Sequence, residues 1–386
     1  MMGLFDKVFK KPKISISQLK SYFKLLNGYS PVFTSFDGGI YEMELTRSAV
    51  HAIANHCSKL KPEILGNANP HLRNTLKYKP NDYMDTSKFL YRLATILSVQ
   101  NTAFIVPILD EVEHIIGYYP ILPSRSEVRE DSKGNAWLVY TFGTGEKSAI
   151  ELDRVGILTQ HQYKNDLFGE NNNVLNATMQ LLHTQNEGII EGVKNSAAIR
   201  FIAKASNMFG DDALKELRDN FASLNLSADN NTGLMIFDNQ FSEVQQVQNQ
   251  QFVINAAQQK LIQDNVFNYF GVNQKILQND FDENAWNAFY EGKIEPFALQ
   301  LSLVMSNMTY TTKELAFGNE IQFSANRLQY ASNQTKLNVV TQLFDRGLLS
   351  LNQGLEIFNM PPVDDGNERY IRGEYVNVKS KEGNEG

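Results

Sequence analysis

The chain has 386 residues, 42% of them hydrophobic and 20% charged, with a formal net charge of −7 and a single cysteine, Cys57. At about 150 residues per domain the length points to two or three domains, and the composition is that of a folded protein rather than a disordered, collagenous or coiled-coil one. One cysteine excludes an internal disulfide framework and a Cys-rich zinc site. The acidic balance argues against a protein that grips nucleic acid over its whole surface, because that takes many Lys and Arg contacts to phosphate.

No apolar run approaches the ~20 residues of a membrane span, and the basic start, Met1 to Lys13, lacks the hydrophobic stretch and cleavage site of an export signal. The chain reads as neither exported nor membrane-integral. Residues 1–43 read as a solvated arm, with Lys7, Lys10, Lys11 and Lys13 among Leu4, Phe5 and Phe9. Between Glu44 and Leu60, Ala49, Val50, Ile53, Cys57 and Leu60 recur every three or four residues, which predicts a helix with Cys57 on its buried face as a core thiol. A second helix starts at Thr86 as N-cap and carries Phe89, Leu90, Leu93, Ile96 and Leu97. From Thr102 the period shortens to two, giving strands at 102–109, 114–121, 136–142 and 155–163, with Ser132-Lys133-Gly134-Asn135 as a turn. The first half is α+β, two helices on a largely antiparallel sheet.

The second half is mostly helical. Residues 174–195 form a long helix with the narrow seam Leu175, Met179, Leu182, Ile189 and Val193. A small βαββ insertion follows, with strands at 198–203, 233–237 and 241–247 and a helix at 211–224, too small to be stable without a partner. Next come a helix over 251–270 and a polar loop over 271–283, expected to be mobile and to project from the scaffold. The stripe Trp286, Tyr290, Ile294, Phe297, Leu301, Val304 and Met308 predicts a long helix kinked at Gly292 and Pro296. Residues 334–360 read as two short helices divided at Gly347, and 379–386 as disordered.

Catalytic signatures are weak. Gly143 to Ser148 lacks the spacing of a phosphate loop, since Tyr140 stands where the first Gly belongs and Glu146 interrupts Gly-Lys, so a β-turn is the better reading. Asp280, Asp282 and Asn284, with Glu291, match part of a calcium loop, but Ala285 replaces the Gly its sharp turn needs; the acids suit a helix N-terminus instead. His51, His56 and His161 have no metal or catalytic spacing. No catalytic residue, metal site or cofactor is assigned, and an enzyme is the poorer hypothesis.

Several short motifs occur in a fixed order: Leu72, Leu76, Pro80-Asn81, Thr86 and Phe89; Asn101-Thr102-Ala103-Phe104; Tyr119-Pro120-Ile121-Leu122-Pro123; His161; Tyr269-Phe270-Gly271-Val272; and Gly347, Asn352 and Pro361-Pro362. Together they resemble the portal protein family of tailed bacteriophages, siphophage-type branch, over about residues 44–375. The sequence departs from that pattern at the Gly of its Gly-Asn-Ala-aromatic strand. It departs also at Gly169-Glu170-Asn171-Asn172, which stands for Gly-x-Ser-Pro, at Asn273 in place of Pro, and at Gln353 in place of Glu.

The resemblance implies a portal fold: a wing of helices on antiparallel sheet (44–170 and 284–333), stem helices (171–195 and 251–270), a βαββ clip (196–250), a tunnel loop (271–283) and a helical crown (334–375), followed by a disordered tail (376–386). It implies a homo-oligomer, a dodecameric ring at one capsid vertex through which double-stranded DNA is packaged and ejected without sequence preference. Its partners would be the terminase large subunit, which supplies ATPase energy, then a head–tail adaptor, with major capsid and scaffolding proteins around it and no membrane. Such a protein resides in the virion after assembly in the bacterial cytoplasm. In that frame Lys260 and Lys275 are candidates for transient phosphate contact, with Gln263, Asn273, Gln274 and Gln278, and also Gln259, as neutral lining. The exposed side of the insertion's helix, with Lys215, Glu216, Arg218 and Asp219, is the candidate partner-docking face. Two other classes stay open: a different ring-forming head–tail connector, and a metal-dependent hydrolase using Asp280, Asp282 and Glu291.

Overall fold

The computed structural model describes residues 20–21, 41, 43–143, 145–197, 200–205, 210–225, 241–247, 256–325, 333–358 and 360–371. The elements run β1 (Lys20–Ser21), α1 (Glu44–Cys57), β2 (Lys61–Leu65), α2 (His71–Tyr78), α3 (Thr86–Gln100), β3 (Thr102–Leu109), β4 (Ile115–Ile121), β5 (Ser126–Glu130), β6 (Ala136–Thr141), β7 (Lys147–Glu151) and β8 (Gly156–Thr159). They continue with α4 (Asn176–Ala197), β9 (Arg200–Ala205), α5 (Asp211–Asn225), β10 (Phe241–Val247), α6 (Ala256–Phe270), α7 (Gln274–Leu277) and α8 (Glu283–Phe289). A π-helical turn (Tyr290–Ile294), α9 (Glu295–Thr309), α10 (Thr312–Ala316), β11 (Glu320–Ser324), α11 (Asn333–Asp345) and α12 (Leu351–Ile357) complete the order. The chain divides into two units, one of residues 1–175 with 264–386 and one of residues 176–263. Among the described residues no helix is long and apolar enough to cross a membrane.

In the first unit β3 is the middle of a three-stranded antiparallel sheet, β4-β3-β8, and a four-stranded sheet has the order β1-β5-β6-β7. Alternation along β3 points Phe104, Val106 and Ile108 into a core shared with Ile121, Val128, Leu138, Tyr140 and Ile150. Burying each such side chain stabilises by about 1.5–3 kcal/mol. The other face of this sheet is covered by α9: a Cβ added at Gly156 would lie 2.7 Å from Met308 Sδ and 2.8 Å from Val304 Cγ1. Burial on both faces explains why the Thr102–Leu109 strand is almost continuously apolar.

Helices α1 and α3 pack together, burying Ala49, Val50, Ile53 and Cys57 from one and Phe89, Leu90, Leu93 and Leu97 from the other. The start of α3 corrects the expected cap. Asp85, not Thr86, is the N-cap, its carboxylate accepting from Lys88 N at 2.8 Å. Thr86 lies inside the first turn and donates its hydroxyl to Leu76 O at 2.6 Å. The neighbouring Asn81 is buried and clamps the chain to β4, donating to Tyr118 O at 2.9 Å while accepting from Tyr83 N and Met84 N.

Sheet is more divided than expected. The four strands expected as one sheet fall into two, since β3, β4 and β8 share a sheet while β6 pairs with β5 and β7; β2 pairs with β11, and β10 with β9 within the expected insertion. Strand β11 is also stitched to α9, with Ile321 N donating to Ser306 Oγ and Phe323 N to Ser302 Oγ, both at 2.8 Å. The expected turns at 132–135 and 143–148 are hairpin turns: Asp131 accepts from Lys133 N and Asn135 N, and Gly145, at φ +85°, joins β6 to β7. Instead of a simple kink, the long helix contains the π-helical turn over 290–294, and Pro296 sits in the first turn of α9, where its missing N–H costs little. Gly347, at φ +70°, divides α11 from α12 as the spacing predicted.

The second unit contains α4, β9, α5, β10 and the start of α6. Strands β9 and β10 pair antiparallel from Arg200↔Val247 to Ala205↔Phe241, with an irregularity after Phe241. The expected strand at 233–237, the helical residues 251–255 and the tail at 376–386 lie outside the described residues, as does nearly all of the arm.

A buried amide network closes the first unit. Asn101 ends α3 in the left-handed conformation, φ +53°. Its side chain donates to Glu170 O at 2.7 Å and to Asn172 Oδ1 at 2.5 Å, and accepts from Gln160 Nε2 at 2.7 Å. Asn172 donates on to Val99 O at 2.7 Å and accepts from Tyr269 OH at 2.5 Å. Asn101→Ala should strand several of these buried groups and strain the left-handed position. The expected loss is about 2–3 kcal/mol of unfolding free energy, read as a lowered midpoint in urea at unchanged slope.

Candidate functional site

The segment after α6 is built from capped turns. Phe270 ends the helix buried, Gly271 takes φ +69°, and Val272 N returns to Phe267 O at 3.0 Å. Asn273 then caps α7, its side chain accepting from Ile276 N at 3.0 Å, and Asp282 caps α8, accepting from Ala285 N at 2.7 Å. Val272 and Ile276 are 4% and 1% exposed, and α7 packs on α1. This corrects the expectation of a mobile, projecting loop: two apolar side chains and two caps fasten the segment down. Asn273 caps α7 through its side-chain oxygen and is exposed, as are Gln274, Lys275 and Gln278 on the single turn of α7 and its end.

Lys275 Nζ pairs with Asp282 at 3.2 Å, both side chains well exposed. The Ala285 amide, then Lys275, hold the Asp282 carboxyl below its usual value. That double engagement explains the acids better than a calcium loop does. Among the described residues no three His, Cys, Asp or Glu side chains come together as a metal-holding group.

Beneath this segment His56 sits in an aromatic cage. Its ring lies 4.7 Å from Trp286, 5.5 Å from Phe289 and 6.2 Å from Phe281, centroid to centroid. Burial, with lesser repulsion from Lys59 and His51, lowers its pKa to about 4, so the ring is neutral near pH 7. Burial pushes the neighbouring Cys57 thiol up to about 12, which makes it the inert core thiol its spacing predicted. His51 faces another side of α1 and meets Tyr91 OH at 2.9 Å. His161, at φ +51°, stacks on Tyr269 at 5.2 Å and an interplanar angle of 20°.

In the second unit, Lys215 pairs with Asp212 at 3.4 Å and Arg218 Nε donates to Asp219 at 2.8 Å, all on the exposed side of α5 along with Glu216. Exposed pairs of this kind contribute about 0–1 kcal/mol, so the charges remain available to a partner. Lys260 is exposed and Gln263 half-buried, three residues apart on α6, with Ile262 buried between them. Lys260 and Gln263 belong to the second unit, and Asn273, Gln274, Lys275 and Gln278 to the first. Among the described residues β9 and β10 pair with each other, antiparallel.

Two consequences are measurable. Ile276→Ala should cost about 2–4 kcal/mol as a buried truncation, whereas Gln274→Ala and Lys275→Ala should stay within about 0.5 kcal/mol, as read by denaturant unfolding. The unfolded chain binds a proton at His56 more readily than the folded one. The contribution of neutral His56 is therefore complete above about pH 6.5 and lost as pH falls toward 4. His56→Phe should flatten the decline in melting temperature over that window, and an unchanged decline would remove His56 from the acid response.

A family model described as Phage portal protein matches residues 45–359. The fold is similar to a chain in the neck of a native gene transfer agent (GTA) particle computed with C12 symmetry, with a TM-score of 0.59, 14% identity, and 90% of this chain and 100% of that one covered. It is similar also to a chain in the virion of a native GTA particle, with a TM-score of 0.55, 15% identity, and 88% and 98% covered. An HK97 family phage portal protein from Corynebacterium diphtheriae aligns at a TM-score of 0.46 and 11% identity, over 74% of this chain and 93% of that one. No curated protein sequence matches the chain. The match over most of its length shows that the chain belongs to the phage portal protein family, whose members are structural head–tail connector proteins and not enzymes.

Proposed function

We propose that this chain is the subunit of a ring of twelve that forms the DNA channel at one vertex of a phage capsid. The family match over residues 45–359 carries this reading, and similarity to a chain of a C12 neck supports the subunit number. In that ring residues 44–170 and 284–333 form the wing, 171–195 and 251–270 the stem, 196–250 the clip, 271–283 the tunnel loop and 334–375 the crown, with 1–43 as an arm and 376–386 as a tail. The ring is built into the virion after assembly in the host cytoplasm, among major capsid and scaffolding proteins.

Channel physics favours this surface. Each phosphate a protein neutralises adds to affinity and to salt dependence, so a conduit that must let duplex DNA slide needs few free cations. A chain of net charge −7 meets that need, and Lys275, already paired with Asp282, is a cation whose grip on a passing phosphate is diluted. Lys260 and Lys275 make the transient contacts, with Gln263, Gln274 and Gln278 as neutral lining. Strands β9 and β10 of the clip pair with clip strands of neighbouring subunits, which satisfies backbone groups at the edges of a small sheet. The charged side of α5, with Lys215, Glu216, Arg218 and Asp219, docks the terminase large subunit during packaging and a head–tail adaptor afterwards.

Electron microscopy of the purified protein should show closed twelvefold rings with a central hole; a monodisperse monomer at every concentration and salt would sink the proposal. Lys275→Glu should leave the rings intact and impair packaging or retention of DNA. Normal packaging by that variant would take Lys275 out of the mechanism.

A further inference from the structure

The π-helical turn carries a lysine that the channel reading does not use. Lys293 lies within it, and such one-turn expansions of a helix occur often at functional sites. Its aliphatic stem runs beside the Gly271 turn, where an added Cβ would lie 3.6 Å from Lys293 Cδ. Lys293 lines a cavity of about 360 Å³ together with Ser98, Thr159, Gln160, His161 and Gln300. No Asp or Glu is among the lining residues.

The cation is short of a counter-charge. Among the described residues Lys293 makes no hydrogen bond and no ion pair. Cys57, the neighbour whose charge would favour the ammonium, stays protonated with its thiol pushed up to about 12. Burial holds the Lys293 ammonium below the usual lysine value, and burial followed by the charge of Lys293 does the same to His161. A partly desolvated cation facing a cavity without acids is the electrostatic complement of an anion. The amide donors of the wall are already engaged, Gln160 Nε2 with Leu97 O and Asn101 Oδ1, and Gln300 Nε2 with Thr159 O. The ammonium and the His161 ring N–H are left as the donors for a ligand.

We propose that this cavity is an oxyanion site, in which Lys293 and His161 together take up a carboxylate or phosphate group. The oxyanion has two possible sources, a free phosphate ion and an acidic side chain of a second copy of this chain; the second rests on the ring reading above. Recognition is by charge and two N–H donors in either case, which suits an oxyanion presenting two oxygens.

Two arms on the full-length protein separate the sources. In the first, acylation of Lys293 by an amine-reactive reagent is followed by peptide mass spectrometry with and without inorganic phosphate. Slowing of several-fold at saturating phosphate identifies the free ion as a ligand. In the second, mixed ¹⁴N- and ¹⁵N-labelled chains are assembled in phosphate-free buffer and treated with a zero-length carbodiimide, which joins an amine to a carboxylate it touches. A mixed-isotope cross-link from Lys293 to an Asp or Glu peptide identifies the second copy. Either result supports the site, and with phosphate as ligand Lys293→Arg should keep a phosphate-dependent rise in melting temperature that Lys293→Met loses. Acylation indifferent to phosphate, with no cross-link from Lys293, overturns it, and so does protection by duplex DNA alone. Failure of the protein to form rings would count against the channel reading while the phosphate arm still decides this one.

Discussion

The first unit depends on satisfying one buried side chain, Asn101. It sits where helix α3 hands over to strand β3, in a conformation that few residues other than Gly and Asn adopt readily. Its amide bonds to the end of β8 through Gln160 and to the 170–172 segment, from which Asn172 reaches Tyr269 near the end of α6. Three stretches of chain far apart in sequence, around residues 101, 160–172 and 269, are thus held at one polar point. A buried network of this kind is costly when half made, so it specifies one arrangement of those stretches and penalises others. Gly169 belongs to the same constraint, since a Cβ there would lie 2.2 Å from Gln160 O and 2.3 Å from Asn101 O.

Around that point the exposed polar groups are held by ordinary means. The segment at 271–283 is short, capped twice and anchored by Val272 and Ile276, so packing sets the backbone that carries Lys275. The long helix behind it absorbs a π-helical turn without being broken, and that turn brings Lys293 beside Gly271.

Much of this was legible in the residues. The three-and-four spacing of α1 and α3, the near-continuous apolar run of β3 and the break at Gly347 each leave a strong periodic mark. Strands β5 and β7 left little mark, because Ser-Glu-Val-Arg-Glu and Lys-Ser-Ala-Ile-Glu each offer only one or two buried side chains. The acids around Asp282 read as a helix N-terminus, and Asp282 is the cap of α8, whereas the cap Asn273 reads as loop polarity between two strong helices. The Asn101 network could not be read at all: Gln160 lies 59 residues away, Asn172 lies 71 away, and Tyr269 is 97 beyond Asn172. Its residue types are unremarkable singly, and only folding makes them neighbours. Lys293 was hidden for the same reason, since a lysine in a helical stripe ordinarily reads as a solvated face.

The second unit leaves the first after residue 175 and rejoins it before residue 264, so the chain crosses between them twice. A segment inserted in this way is a cassette. The amide network and the β3 core draw no residue from within it. Substitutions on α5 therefore touch neither the buried amides nor the sheet core, so their effect on the surface that α5 presents is separable from any effect on the stability of the first unit.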